Sequence, residues 1–254
     1  MKKALLYIAY TIAYGFWWVM SLLPLWVLYR LSDLLYYVIT YVVRYRHDVI
    51  WNNLSTSFPE KSEAELREIE HQFYHWFCDY LVETVKLMSI SKRQLMQRMT
   101  FTGMEQIHEI ISEGQSIGVY LGHLGNWEWI TSLPYWTQNG LCCQLYHPLE
   151  NEYFDRLFKY VRELHGALCI PMQESLRKII TLSREGKPLI VGYISDQVPL
   201  WWNIHHWVDF LNHDTPVLTG AERIIKHTGQ AFFYGHVTRV KRGHYNCEMR
   251  LISR

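Results

Sequence analysis

The sequence predicts an α/β fold, a mixed βαβ-rich sheet flanked by helices, behind an N-terminal hydrophobic membrane-anchor helix. Three observations carry this: a long uncharged N-terminal run, short β-type apolar runs alternating with amphipathic segments from about residue 99 onward, and a composition able to fill a core. The chain has 254 residues, 49% hydrophobic, 15% aromatic and 19% charged. A disordered, collagen-like or low-complexity polymer is thereby excluded. A domain of this length buries about three-quarters of the surface its unfolded chain exposes, so a core forms without disulfides. The charged fraction falls below the roughly 25% of ordinary soluble domains and needs an explanation.

The explanation starts between Lys3 and Arg30, where residues 4–29 are 26 consecutive uncharged positions. A bilayer crossing takes about 20 mostly apolar residues, and Gly15 and Pro24 are tolerated in membrane helices. A cleavable signal peptide would end its apolar region after roughly 7–15 residues at small side chains, whereas this run continues through Trp17, Trp18, Pro24 and Trp26. A second run, Leu34 to Val43, is too short to span and suits an interfacial or re-entrant segment. We place the anchor at residues 1–47. Residues 48–254 form one continuous domain, because no repeat or flexible linker interrupts them.

The formal net charge is only +1, but the charge is unevenly placed. Residues 1–50 hold Lys2, Lys3, Arg30, Arg44 and Arg46 against Asp33 and Asp48, and residues 223–254 hold seven Lys or Arg against Glu248. Basic ends suit anionic headgroups or an acidic carrier protein, beside the simpler reading of a solvated charged face. No nucleic-acid motif accompanies them. Five cysteines without C-x-x-C spacing fit a reducing compartment.

After the anchor, Leu66, Ile69, Phe73, Trp76, Phe77, Tyr80, Leu81, Val85 and Met88 recur at helical spacing, with Ser62 and Glu65 as a capping box. Strands are expected at 116–121, 141–146, 167–170, 188–194, 231–240 and 245–252, with Arg242-Gly243-His244 as the last turn. Helices are expected at 127–136, 153–164, 173–183 and 217–228. His205, His206 and His213 match no standard zinc spacing, and the interleaved Trp201, Trp202 and Trp207 favour a lipid-facing loop over a metal site.

The segment Val119-Tyr120-Leu121-Gly122-His123-Leu124-Gly125-Asn126-Trp127-Glu128 carries the chemistry. A buried strand ends in two glycines flanking His123, at the carboxyl edge where α/β sheets place their sites, and Gly125 lets a substrate approach the backbone. Glu128 falls in the first turn of the next helix, where its carboxylate could orient the imidazole and stabilise the imidazolium. Asn126 serves equally as a helix N-cap or as a contact for an anionic headgroup. No G-x-S-x-G elbow exists and no Cys or Ser adjoins His123, so the group to be deprotonated belongs to a substrate hydroxyl. Direct acyl transfer follows.

The stretch Gly-His-Leu-Gly-Asn-Trp-Glu, an HX4E motif, resembles the lysophospholipid acyltransferase superfamily, in particular its lipid A biosynthesis (lauroyl/myristoyl) branch. The resemblance covers nearly the whole chain. It extends to Tyr45-Arg46, Asn53-Leu54 and Phe58-Pro59, then to Tyr146, Pro148, Asn151, Asp155, Leu157, Arg162 and Gly166. Asp196-Gln197, Phe210, Thr215-Pro216, Gly220 and Thr228-Gly229 continue it. What the resemblance implies is an O-acyltransferase of the bacterial inner membrane, working on its cytoplasmic face, with His123 and Glu128 catalytic. It further implies an acyl chain carried on acyl carrier protein, a lipid A precursor as acceptor, and no metal or bound cofactor. Gly125, Asn126, Tyr146, Arg162, Asp196 and Gln197 become candidate substrate contacts.

Two departures qualify the resemblance. His147 stands where many relatives have Arg, which makes Arg162 the substitute positive charge near an acyl carbonyl or lipid phosphate. Relatives also continue beyond the position of Arg254 through a further helical region, so the domain is expected to lack that extension. The same dyad would serve another glycerolipid or aminolipid acceptor. A Phe-Pro-Glu-Gly element expected downstream for glycerol-phosphate enzymes is missing, since Phe58-Pro59-Glu60 precedes His123 and is followed by Lys61. An inactive membrane-anchored homologue is the alternative from another class.

Overall fold

The computed structural model describes residues 2–254, so residue 1 of the expected anchor lies outside the described residues. The uncharged run folds as two helices, α1 (Lys2–Leu22) and α2 (Leu25–Tyr37), the latter continued by a π-helical segment, Val38–Val43. They are bent by 117° at Leu23-Pro24. This corrects the single anchor helix. Proline lacks the N–H needed to continue the ladder and disfavours helical geometry in the residue before it. The bend is stabilised from outside, because Lys86 Nζ donates to the carbonyls of Ser21 at 2.7 Å and Leu23 at 3.1 Å. A buried cation thus satisfies carbonyls that the helix end leaves unpaired. Among the described residues no single helix is long and apolar enough to cross a membrane; the bent pair together reaches that length and composition only.

Next come α3 (His47–Ser57) and α4 (Glu63–Lys86). The expected capping box is present: Glu65 N donates to Ser62 Oγ, and Ser62 N donates to Glu65 Oε2 at 2.9 Å. Helix α4 receives α1 and α2. Leu25 and Leu28 pack with Val82, and Trp17 Nε1 donates to the Val85 carbonyl.

The remaining elements are α5 (Lys92–Arg98), β1 (Met99–Thr102), α6 (Met104–Ser112), β2 (Ile117–Leu121), β3 (Leu141–Tyr146), α7 (Glu152–Glu163), β4 (Leu168–Pro171), α8 (Ser175–Arg184), β5 (Leu189–Ile194), β6 (Trp207–Phe210), β7 (His213–Pro216), α9 (Gly220–Thr228), β8 (Ala231–Lys241) and β9 (His244–Ser253). The main sheet runs β1-β9-β8-β2-β5-β3-β4. Every neighbouring pair in it is parallel except the β8–β9 hairpin. The six strands read from sequence match within one residue at each end.

Two expectations need correction. Trp127–Tyr135 is a 3-10 helix with Pro134 inside it, consistent with a segment that cannot sustain the α-helical ladder. The expected loop around residues 201–216 contains the β6–β7 hairpin, whose central residues Leu211 and Asn212 have φ of 52° and 64°. Two successive positive φ values suit a tight hairpin turn.

Helices cover both sheet faces. Val119, Ile190, Phe233 and Cys247 pack with Trp129 and Ile107 on one side, and Val191 and Tyr193 pack with Ile179 and Ile225 on the other. Alternation along each strand supplies the two faces.

Burial pushes the thiols of Cys142, Cys143 and Cys247 up to about 11, 12 and 12 respectively. The unfolded chain releases these protons near the ordinary value of 9.0, while the folded chain keeps them. Stability is therefore complete below pH 9 and falls above it, by about 1.4 kcal/mol per thiol per pH unit until the folded thiols ionise. Urea unfolding in a pH series is expected to show the midpoint dropping between pH 9 and 11, with a shallower drop for Cys142→Ala. A constant midpoint would contradict the burial argument.

Candidate active site

Strand register builds the site. Leu121 at the end of β2 pairs with Ile194 at the end of β5. His123 and Asp196 each stand two residues past that pair, so parallel pairing delivers them side by side at the carboxyl edge. His123 Nδ1 lies 2.6 Å from Asp196 Oδ1, and the His123 backbone N–H donates to Asp196 Oδ2 at 2.7 Å. With the carboxylate accepting, Nδ1 is the donor, which in a neutral imidazole leaves the lone pair on Nε2. Gly122 permits the approach, since a Cβ there would meet Asp196 Oδ2 at 3.1 Å.

Aromatic packing holds the imidazole from another side. The Trp127 ring meets His123 at 4.8 Å between centroids and 74° between planes. Trp127 in turn stacks on Tyr80 at 4.1 Å, and Tyr80 on Trp76 at 5.9 Å. Burial pushes the Tyr80 phenol up, as does the charge of Glu128, so this ring stays neutral at ordinary pH.

Glu128 does not make the expected hydrogen bond to the imidazole. Its oxygens accept from Arg162, Oε2 from Nε at 2.8 Å and Oε1 from Nη2 at 2.6 Å. A five-residue separation is a local signal, and here the turn at Gly125 and the 3-10 helix aim the carboxylate toward α7. Burial alone would lower the Arg162 pKa, but the hydrogen bonds and charge of Glu128 outweigh it and raise it. A bidentate pair of this kind fixes both groups. Thr131 Oγ1 also donates to the Arg162 carbonyl.

The other predicted contacts divide. Tyr146, Arg162 and Gln197 join His123 and Glu128 around one cavity of about 350 Å³. Tyr146 points its hydroxyl toward Asp155 Oδ2 at 3.4 Å, and burial followed by the Asp155 charge pushes this phenol up. Gly125 and Asn126 serve the scaffold instead of lining that cavity. Gly125 has φ of 55° and a carbonyl that accepts from Trp76 Nε1 at 3.0 Å. Asn126 is fully buried, receives Trp129 N–H on Oδ1, and donates through Nδ2 to Glu83 at 2.7 Å. This favours its N-cap reading.

The cavity extends from these polar groups to buried apolar side chains, including Val119, Leu133, Cys142 and Ile190. A cavity lined by both polar groups and buried apolar side chains suits a ligand with a reactive head and a hydrocarbon tail. His147 also lines it, with Nδ1 donating to the Pro148 carbonyl at 3.0 Å. Among the described residues no three His, Cys, Asp or Glu side chains cluster to hold a metal ion.

Sequence reasoning missed the contributions of Tyr80 and Glu83. Tyr80 belongs to the apolar helical stripe and was read only as packing, while Glu83 is one of three buried acids of α4, with Glu70 and Asp79. The basic C-terminal region is also less free than its composition implies. Arg239 and Arg242 both reach the buried Asp79, while Arg250 pairs with Glu248 and Arg254 with Glu113.

Comparison with known proteins adds an independent result. The family described as bacterial lipid A biosynthesis acyltransferase matches residues 1–250. A curated relative, the lipid A biosynthesis acyltransferase of Haemophilus influenzae, is 22% identical over 175 residues, covering 68% of this chain and 54% of its own length. The chain thus matches about half the length of that relative.

Proposed function

Because the chain belongs to the bacterial lipid A biosynthesis acyltransferase family, we propose that it moves a fatty acyl chain from an acyl thioester on acyl carrier protein to a hydroxyl of a lipid A precursor. The observation that carries this reading is the His123–Asp196 pair beside a cavity partly lined by buried apolar side chains. The acceptor hydroxyl gives its proton to Nε2 as its oxygen attacks the thioester carbonyl. Asp196 stabilises the imidazolium through Nδ1–H. When the tetrahedral intermediate collapses, the carbon–sulfur bond breaks, and the imidazolium returns the proton to the leaving thiolate. Arg162, fixed by Glu128, supplies positive charge for the developing oxyanion or for a phosphate of the acceptor. Glu128 thereby acts by holding the guanidinium, and the imidazole is oriented by Asp196. No bound cofactor enters these steps.

The acceptor is met at the cytoplasmic surface of the bacterial inner membrane. Ile8, Ile12, Phe16 and Val19 form an exposed row on α1, Trp26 and Leu34 are exposed on α2, and Trp201 and Trp202 are 81% and 80% exposed. Such apolar and aromatic surface suits the headgroup and acyl boundary.

Incubating the purified chain with acyl carrier protein thioesters and a lipid A precursor is expected to add one acyl chain, detected as a mass increase. Transfer only to a glycerolipid or aminolipid, or no transfer with any donor, would overturn the assignment. Chain length offers a second measurement. Gly192 lines the cavity, and a Cβ there makes ordinary contact at 3.5 Å with Leu121. Gly192→Leu is expected to fill acyl space and shift kcat/KM toward shorter donors, by about tenfold for two methylenes at ~0.8 kcal/mol each. An unchanged chain-length profile would separate this cavity from acyl binding.

A further inference from the structure

Glu83 is a fully buried carboxylate in α4 that the chemistry above does not use. Three elements converge on its side chain. Oε2 accepts from Asn126 Nδ2 at 2.7 Å and from the Tyr245 hydroxyl of β9 at 2.9 Å, while Oε1 accepts from the Tyr29 hydroxyl of α2 at 2.8 Å. Its own backbone carbonyl accepts from Trp129 Nε1 at 3.2 Å. Asn126 Oδ1 meanwhile caps the Trp129 N–H at 3.2 Å. One residue therefore grips both ends of the four-residue stretch Asn126–Trp129. Inside that stretch are Trp127, packed on the His123 ring, and Glu128, paired with Arg162.

We propose that Glu83 is a positioning residue for acyl transfer, a clamp from α4 that sets Trp127 against His123 and Glu128 against Arg162. The proposal rests on the functional reading above. Burial pushes the Glu83 carboxyl up while its three donors pull it down. Either protonation form retains an oxygen able to accept from Asn126. The clamp needs that acceptor. Tyr29 and Tyr245 steady the carboxylate from α2 and β9, so the docked N-terminal helix and the last hairpin bear on the same point.

The test compares Glu83→Leu, Asn126→Asp and the double variant Glu83→Gln with Asn126→Asp. Kinetics are measured below each variant's melting temperature, and hydrogen exchange is followed by mass spectrometry. Glu83→Leu is expected to reduce kcat by about 10²-fold, the scale of an ångström-sized misplacement, with KM for the thioester within about twofold. Peptides covering residues 122–136 should exchange faster while those of β2 and β5 do not. Asn126→Asp sets two carboxylates against each other and should lose activity comparably. The double variant lets the glutamine amide donate to the new carboxylate, and should regain kcat to within about fivefold of wild type, a coupling of contacting residues.

A purely structural Glu83 would lower the melting temperature and leave kcat of the folded protein unchanged, and that result overturns the proposal. So does an even rise in exchange across the sheet, or failure of the double variant to recover. If Glu83→Leu does not fold, the Asn126→Asp pair of measurements decides. If the wild-type chain transfers no acyl group, the functional reading falls, while localised exchange still reports separately on the clamp.

Discussion

His123→Ala is expected to lower kcat for acyl transfer by about 10³-fold, within the range that a positioned general base contributes. The protein should remain folded, because the side chain sits at a strand end and is 32% exposed. A modest loss of stability, about 1 kcal/mol, is expected from the lost Trp127 contact and the lost hydrogen bond to Asp196. Asp196→Asn should follow with a smaller loss, since it removes the negative charge that steadies Nδ1–H and the forming imidazolium. The measurement is single-turnover transfer from a radiolabelled thioester, alongside thermal unfolding. An alanine variant within tenfold of the wild-type rate would remove His123 from the role of base.

Arg162→Met is expected to damage both stability and turnover, and the two effects can be separated. It leaves Glu128, which is 6% exposed, as a buried charge without its partner. Breaking such a pair costs about 3 kcal/mol, or a fall of roughly 9 °C in melting temperature for a domain of this size. Turnover should fall by about 10²-fold from loss of the positive charge. Replacing both residues with methionine should restore most of the stability and none of the activity, because two apolar side chains of similar volume tolerate burial together. Recovery of activity in the double variant would reduce the pair to a structural contact. Calorimetry and the transfer assay on the same preparations give the answer.

These predictions depend differently on what could be read before the fold was known. Placement of His123 at the end of β2 was legible because Val119, Leu121 and the glycines that follow are local signals. Its partnership with Asp196 was not. That pairing requires β2 and β5 to be neighbours, although 73 residues separate His123 from Asp196, and spacing along the chain carries no information about sheet order. Glu128 was attractive because it was close in sequence, yet its partner comes from α7. The capping box at Ser62 and the β8–β9 hairpin were legible for the same local reasons as His123. At the N-terminus, apolar character announced contact with something greasy, but the direction of the chain past Pro24 depends on Lys86, more than sixty positions away.

The order of strands across the sheet also bears on when the protein becomes competent during synthesis. β9, which follows every other strand of the sheet in sequence, lies between β1 and β8 and is the neighbour that β1 has in the sheet. It also brings Tyr245 to Glu83. A ribosome therefore releases the N-terminal helices, His123 and Asp196 well before the strand that joins β1 to the rest of the sheet. Pairings this distant form late and slowly, and leave unfinished chains with open edges. The N-terminal helices can form first, while the packing around His123 waits for the β8–β9 hairpin.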